Sequence, residues 1–275
     1  MANSAFMTMY RSEQIAANEK VQSLLSLTTT TESMTQGNSC VFLVAGSGGA
    51  TAARRGLDGR IPGNPLDLNQ YTCQLEEIHA PFEMTGFNIF SSQGNLRKAM
   101  QDGSTAVINR ERDNLIRNAL SGATVTIPAA TASLTWVSKA KTKIRNAKVG
   151  AAVPLYGVIT PAVYEYFMAL KEFNSADYVK DQRFEGFSKD QAFAWNGVNW
   201  IVDPELQGVG SASATCFMYA KTAIGSAANT GSMNIFAGYD EKDDFSWTRA
   251  SVFMGAKLLQ NSGVVKMLHD DSAFS

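Results

Sequence analysis

The stretch CVFLVAGSGGATAARRGLDGRIPGNPLDLNQYTCQLEEI, residues 40–78, decides how this chain is read. It opens on an unbroken apolar run from Cys40 to Val44, of strand length. It closes on residues 71–78, where Tyr71, Cys73, Leu75 and Ile78 mostly alternate with polar side chains, as in a half-buried strand. Between the two runs lie about 25 residues without apolar periodicity, and compact domains rarely carry loops that long unless the loop functions. The pair therefore reads as a very long hairpin that reaches over a neighbouring subunit. Gly46, Gly48 and Gly49 at its root are candidate hinges, because glycine accepts backbone angles that other residues avoid. Arg54, Arg55 and Arg60 form the strongest local basic cluster. They are candidates for pairing with carboxylates on a neighbour, where the guanidinium fork gives geometric specificity. A solvated loop is the plain alternative.

N-terminal to this hairpin, residues 1–36 read as an arm. Phe6, Met7, Met9, Tyr10, Ile15, Val21, Leu24, Leu25 and Leu27 are apolar at irregular spacing. Phe6, Met9 and Tyr10 are candidate contacts to another subunit. A short helix is expected over residues 12–25, then extended chain over the threonine run 28–31, because β-branched side chains are stiff. C-terminal to the hairpin, residues 81–121 read as helical, with Pro81 in a first turn and Gly94 and Gly103 as punctuation. Ser104 is placed as a helix cap. Ile108, Leu115, Ile116, Ala119 and Leu120 form the apolar stripe, with Arg110, Glu111, Arg112, Asp113 and Arg117 on the other faces, and Gly122 closes the helix. Further helices are expected over 133–146 and 162–171, the latter capped by Thr160 and Pro161. Strands are expected over 155–159, 193–202 with a turn at Asn196 and Gly197, 215–219, 233–238, 245–258 and 264–268. The fold class is α+β, and no internal repeat is present.

Composition narrows the function. Hydrophobic residues make up 45%, enough for a sizeable core. Charged residues make up only 18%, which suits a protein that hides much of its exterior against partners. A net charge of −1 argues against a dedicated nucleic-acid binder, though not against a protein that encloses DNA. The three cysteines, Cys40, Cys73 and Cys216, are too scattered for a disulfide framework or a zinc site, and read as reduced thiols. The N-terminus has no signal-peptide pattern, and no run approaches the roughly 20 apolar residues that span a bilayer.

Motifs for catalysis are weak. Gly46, Gly48 and Gly49 after a strand resemble the start of a dinucleotide-binding turn, but the third glycine position holds Thr51 and the following residues are loop-like. His79 beside Glu76 and Glu77, and His269 before Asp270 and Asp271, read as solvated surface clusters rather than catalytic or metal sites. The acidic run 240–244 reads as a solvated turn. No catalytic, cofactor-binding or metal-ligating residue is assigned.

Several stretches together resemble a known family. They are Arg11-Ser-Glu-Gln-Ile-Ala16, Gly37-Asn-Ser-Cys-Val-Phe-Leu-Val-Ala-Gly46, Thr85-Gly-Phe-Asn-Ile-Phe90, Gly197-Val-Asn-Trp-Ile-Val202, Arg249-Ala-Ser-Val-Phe-Met-Gly-Ala-Lys-Leu258, Asn261-Ser-Gly-Val-Val265 and His269-Asp270. In order and spacing they look like tailed-phage major capsid proteins with the Hong Kong 97 type of fold. The resemblance implies an N-terminal arm (1–36) and an extended loop (37–80). It implies a peripheral domain with a long spine helix (81–132), an axial domain (133–222), peripheral strands (223–260) and a C-terminal return to the axial domain (261–275). It also implies self-assembly through pentamers and hexamers into an icosahedral head around double-stranded DNA, put together in the bacterial cytoplasm. The implied partners are further copies, a portal at one vertex, scaffolding and decoration proteins, and packaged DNA bound without sequence specificity; no membrane or cofactor is implied. Some members of the wider fold begin with a cleaved scaffolding segment, whereas this chain reads as starting at the arm. Others crosslink the loop through lysine and asparagine, but residues 46–69 contain no lysine, so no such bond is expected. The alternatives are an encapsulin-like compartment shell and, more remotely, a nucleotide-binding enzyme using the Gly46–Gly49 loop.

Overall fold

One long helix joins two hydrophobic cores. The computed structural model describes residues 23–32, 37–47, 49–52, 54–55, 59, 61, 63–64, 66–86, 96–174, 192–229 and 234–274. In chain order the strands are β1 (Thr30–Glu32), β2 (Ser39–Gly46), β3 (Asp67–Gln74), β4 (Glu76–Thr85), β5 (Thr126–Ala130), β6 (Leu155–Ile159), β7 (Ala192–Trp195), β8 (Val198–Val202), β9 (Ala214–Ala220), β10 (Ile224–Ala228), β11 (Asn234–Asp240), β12 (Phe245–Leu258) and β13 (Val264–His269). The helices are α1 (Leu96–Ser121), α2 (Leu134–Asn146), α3 (Pro161–Ala169) and the single turn α4 (Lys171–Asn174).

The larger core surrounds a six-stranded mixed sheet in the order β5-β13-β9-β6-β8-β7. Every residue of its central strand β6 is buried, which is why residues 155–159 read as continuously apolar. Trp200 on β8 lies opposite Gly157 on β6 in the parallel register, and a Cβ at Gly157 would overlap the indole. The hairpin turn between β7 and β8 has positive φ at both Asn196 and Gly197, as a tight turn of this kind requires. Helix α2 starts where Ser133 accepts a hydrogen bond from the Trp136 amide, a cap worth about 1 kcal/mol. It turns Trp136, Val137, Ala140 and Ile144 into the core. Helix α3 starts the same way at Thr160, and Phe167 packs among Trp195, Trp200 and Phe173.

The smaller core lies under a second sheet built on β12. Strand β4 runs antiparallel along one edge of β12, while β11 and then β10 line the other, and β1 adds in parallel outside β10. Helix α1 covers this sheet with Ile108 packed among Ala80, Ala228, Ala250, Val252 and Met254. Two to three turns on, Ile116 and Leu120 of the same helix enter the larger core.

Three expectations need correction. Pro81 opens no helix; it lies within β4, an edge strand, where a missing N–H costs no ladder bond on the solvent side. Gly103 does not divide the next helix, because α1 runs through it against the Phe82 ring; Ser104 is buried in mid-helix and donates to the Met100 carbonyl instead of capping. The run 71–78 is not one strand. It passes at Leu75 from the two-stranded ribbon to the β12 sheet. Of the helix expected over 12–25, residues 12–22 lie outside the described residues, while 23–25 are non-helical and lead into a 3-10 turn at Ser26–Thr28.

Candidate assembly surfaces

The two strands of the long hairpin pair as read, in an unbroken antiparallel ladder from Ser39 opposite Gln74 to Gly46 opposite Asp67. Along β2 the outward positions Val41 and Leu43 are 54% and 60% exposed, while Cys40, Phe42 and Val44 are half-buried. Leu68 on β3, and Ile61 and Leu66 in the loop, are also open to solvent. A two-stranded ribbon is at best marginally stable alone, and exposed apolar strands invite a covering partner.

What holds the ribbon to the body is a notch of two glycines. A Cβ at Gly225 on β10 would come within 2.9 Å of the Phe42 ring. One at Gly255 on β12 would run into the Gln74 carbonyl and lie 3.2 Å from the Cys73 sulfur. Cys73 is buried there; burial first, and Cys40 across the ladder second, push its thiol above the ordinary range. None of the three cysteines forms a disulfide.

The predicted site residues fall as follows. Arg54 and Arg55 are exposed, and Arg55 Nε donates to the Gly59 carbonyl at 3.2 Å, a local contact that leaves most of its fork outward. Asn64 donates to the Thr51 carbonyl across the loop at 2.9 Å. Gly46 is the last ladder residue, and Gly49 has φ of +76° in open space. Gly48, Arg60, Phe6, Met9 and Tyr10 lie outside the described residues. No helix follows the Gly46 turn among the described residues, so the strand–turn–helix geometry of a dinucleotide site is missing there.

The root of the arm is held by α1. Asp113, fully buried, accepts hydrogen bonds from Ser23 Oγ at 2.6 Å and from the Leu24 and Leu25 amides at 3.0 and 3.1 Å. Leu24 and Leu25 then enter the larger core. Thr28 shares a 2.6 Å hydrogen bond with the buried Tyr219 hydroxyl, and Thr29 one of 2.8 Å with Ser226. One turn along α1, Arg117 donates to buried Asp203 at 2.9 Å and to Glu205 at 2.7 Å, and also bonds Asn114. Burial opposes the Arg117 charge, but Asp203 and Glu205 outweigh it and raise its pKa. Asp113 and Arg117 therefore do not cover a solvent face. They tie the arm and the loop after β8 to the helix, and their partners are about 90 residues away in sequence.

His269 is the other correction. It is fully buried, with Nδ1 2.6 Å from the equally buried Asp271 carboxylate and its ring edge-on to Tyr166 and Trp136. Asp271 also accepts from Thr160 Oγ1 at 3.0 Å and from the Gly210 amide. Beside it, burial pushes the Cys216 thiol up to about 12. These groups clamp the C-terminal segment onto α2, α3 and the 208–211 turn, out of reach of any substrate. His79 is part-exposed beside Glu77 at 3.0 Å. The acidic run is a tight turn in which Asp240 caps the Lys242 amide and Tyr239 donates to Asp244. Among the described residues no group of three or more His, Cys, Asp or Glu side chains is placed to hold a metal ion. Among the described residues no helix is long and apolar enough to cross a membrane.

Comparison with known proteins agrees with this architecture. Solved structures with similar folds include Mycobacterium phage Che8 (15% identity, TM-score 0.74, covering 97% of this chain and 98% of that one). The capsid of cyanophage P-SCSP1u is similar at 11% identity and TM-score 0.71 (96% and 93% covered), and the capsid of Ralstonia phage GP4 at 10% and 0.70 (97% and 96%). No curated protein sequence matches. The fold is thus of the Hong Kong 97 capsid type. The family described as phage capsid protein matches residues 2–271, and the chain belongs to that family.

Proposed function

We propose that this chain is the major shell subunit of a tailed-phage head, assembling through pentamers and hexamers into an icosahedral capsid around double-stranded DNA. The observation that carries the reading is the family match over nearly the whole chain, in a fold whose longest hairpin stands off its own body with apolar side chains outward. Residues 1–36 act as the arm and 37–80 as the extended loop. The β12 sheet with α1 forms the peripheral domain, and the six-stranded sheet with α2 and α3 forms the axial domain. A shell protein works by geometry. Each copy makes nearly equivalent contacts in rings of five and six, so rigid cores stay fixed while hairpin and arm absorb the angular difference. Many weak contacts then add up. The work done is structural rather than catalytic. Portal, scaffolding and decoration proteins are the further partners, the mature location is the virion, and assembly takes place in the host cytoplasm.

Electron microscopy with light scattering on the purified protein tests this. Closed uniform particles, or rings of five and six, are expected. A chain that stays monomeric with its phage's scaffold and portal present overturns the reading, and enzyme cargo in place of DNA inside native particles reassigns it to a compartment shell.

A further inference from the structure

We propose that the solvent face of α2 is a contact surface for the phosphate backbone of packaged double-stranded DNA, engaged without regard to sequence. The proposal rests on the shell reading above and assigns one of its inner contacts. Between Asn114 and Tyr164 the chain has six basic residues and no acidic one, although its net charge is −1. Of these, Arg117 is neutralised by Asp203 and Glu205. The others, Lys139, Lys141, Lys143, Arg145 and Lys148, lie on or just after α2, and none is ion-paired with a carboxylate among the described residues.

Three of the five also donate to backbone carbonyls within the chain. Lys141 donates to the Asn196 carbonyl at 2.5 Å, and Arg145 donates to the Val149 and Gly150 carbonyls past the helix end. Lys139, Lys143 and Lys148 are exposed; Lys143 touches the Thr126 carbonyl at 2.7 Å and keeps its charge at the surface. Lys139 and Lys143 are one turn apart, and like charges at that spacing repel on a helix surface. The carbonyl end of the helix compensates Lys143 in the last turn but not Lys139 in the middle. An external anion resolves the conflict.

Lys139 and Lys143 flank a groove of about 370 Å³ between α2 and β5, whose surface is mostly apolar and is completed by Ile127, Pro128, Thr135, Ser138 and Thr142. The two ammonium groups supply donors of the kind that phosphate oxygens accept. A carboxylate-bearing protein surface is matched better by arginine forks, whereas lysine is a point charge tolerant of orientation. That tolerance fits a polyanion that must enter and leave a head. With two or three phosphates met per copy, binding is weak for one subunit and collective over many.

The test is fluorescence anisotropy of a labelled mixed-sequence DNA duplex with purified unassembled protein across a salt series. Expected is binding with a log–log salt slope of roughly −2 to −3, alike for duplexes of different sequence. Lys139→Gln/Lys143→Gln should lower affinity roughly tenfold and flatten the slope by about 2, and Lys139→Arg/Lys143→Arg should retain both. The Gln variant should keep its thermal melt and still form closed particles by electron microscopy. The proposal is overturned if wild type ignores the duplex at low salt or if the Gln variant binds like wild type. It is also overturned if the folded Gln variant loses shell formation, which would make the face a subunit contact. A wild-type chain that forms no shells fails the capsid reading instead, and its duplex binding is scored separately.

Discussion

The β2–β3 ribbon and the six-stranded sheet use the same strand chemistry to opposite ends. In the sheet, β6 is buried throughout and β9 nearly so, their apolar side chains enclosed within the chain. In the ribbon, Val41, Leu43 and Leu68 face solvent, while Phe42, Cys73 and Gln74 rest on the body beside Gly225 and Gly255. The sheet is a finished product of one chain. The ribbon leaves apolar side chains uncovered, which under the proposed function makes it half of an interface. Substitutions in the sheet should therefore cost stability, and substitutions in the ribbon should cost assembly.

The largest effect is expected where the two cores are tied together. Asp203→Ala leaves Arg117 buried with only Glu205 and Asn114, and should lower unfolding stability by about 3 kcal/mol, read as the shift of a urea midpoint at constant m. A shift below about 0.5 kcal/mol would mean that water reaches the site and the two cores are not locked by this pair. Next, Gly157→Ala forces a methyl into the Trp200 ring and should cost roughly 1–3 kcal/mol in the same measurement.

The third probe is pH. The folded chain holds the Cys216 proton more tightly than the unfolded chain, with a pKa of about 12 against 9.0. The stabilisation is thus complete below pH 9 and is lost as pH rises from 9 towards 12, by up to about 1.4 kcal/mol per pH unit. Burial shifts the Tyr219 phenol the same way. Cys216→Ala should show a shallower alkaline decline, and identical slopes would remove Cys216 as the cause.

Smaller effects on folding sharpen the ribbon side. Gly255→Ala pushes against the Gln74 carbonyl, so amide hydrogen exchange in β2 and β3 should accelerate while β6 and β9 stay protected. Equal acceleration in both sheets would show that the ribbon is part of the core after all. Smallest of all, Val41→Ser/Leu43→Ser should move the unfolding midpoint by less than about 0.5 kcal/mol, yet reduce closed particles by electron microscopy. Unchanged particle yield would break the comparison.

Strands with a strong local signature were legible in advance. Residues 155–159 and 245–258 coincide with β6 and β12, and the caps at Ser133 and Thr160 start α2 and α3 as read. Strand β10, Ile-Gly-Ser-Ala-Ala, was not legible; small residues of low strand propensity are placed there by pairing with β12 and by the need to admit Phe42. Strand β5 and the switch of sheet at Leu75 were missed for a related reason, since each is set by a partner far along the chain. Of the candidate surface, the hairpin and its exposed arginines were visible in the sequence, but its glycine seat was not.

By itself the sequence determined the α+β class, the long hairpin, the helix caps and, through ordered stretches of resemblance, the family. All of these depend on neighbours in sequence or on pattern along it. Only the tertiary structure decided that Asp113, Arg117, His269 and Asp271 are interior. A charged or polar side chain looks solvated until its partner is known, and here Asp113 and Arg117 find theirs about 90 residues away, while His269 and Asp271 are enclosed by α2, α3 and the 208–211 turn. Burial of such groups is tolerable only when those partners arrive, and folding, not local sequence, brings them.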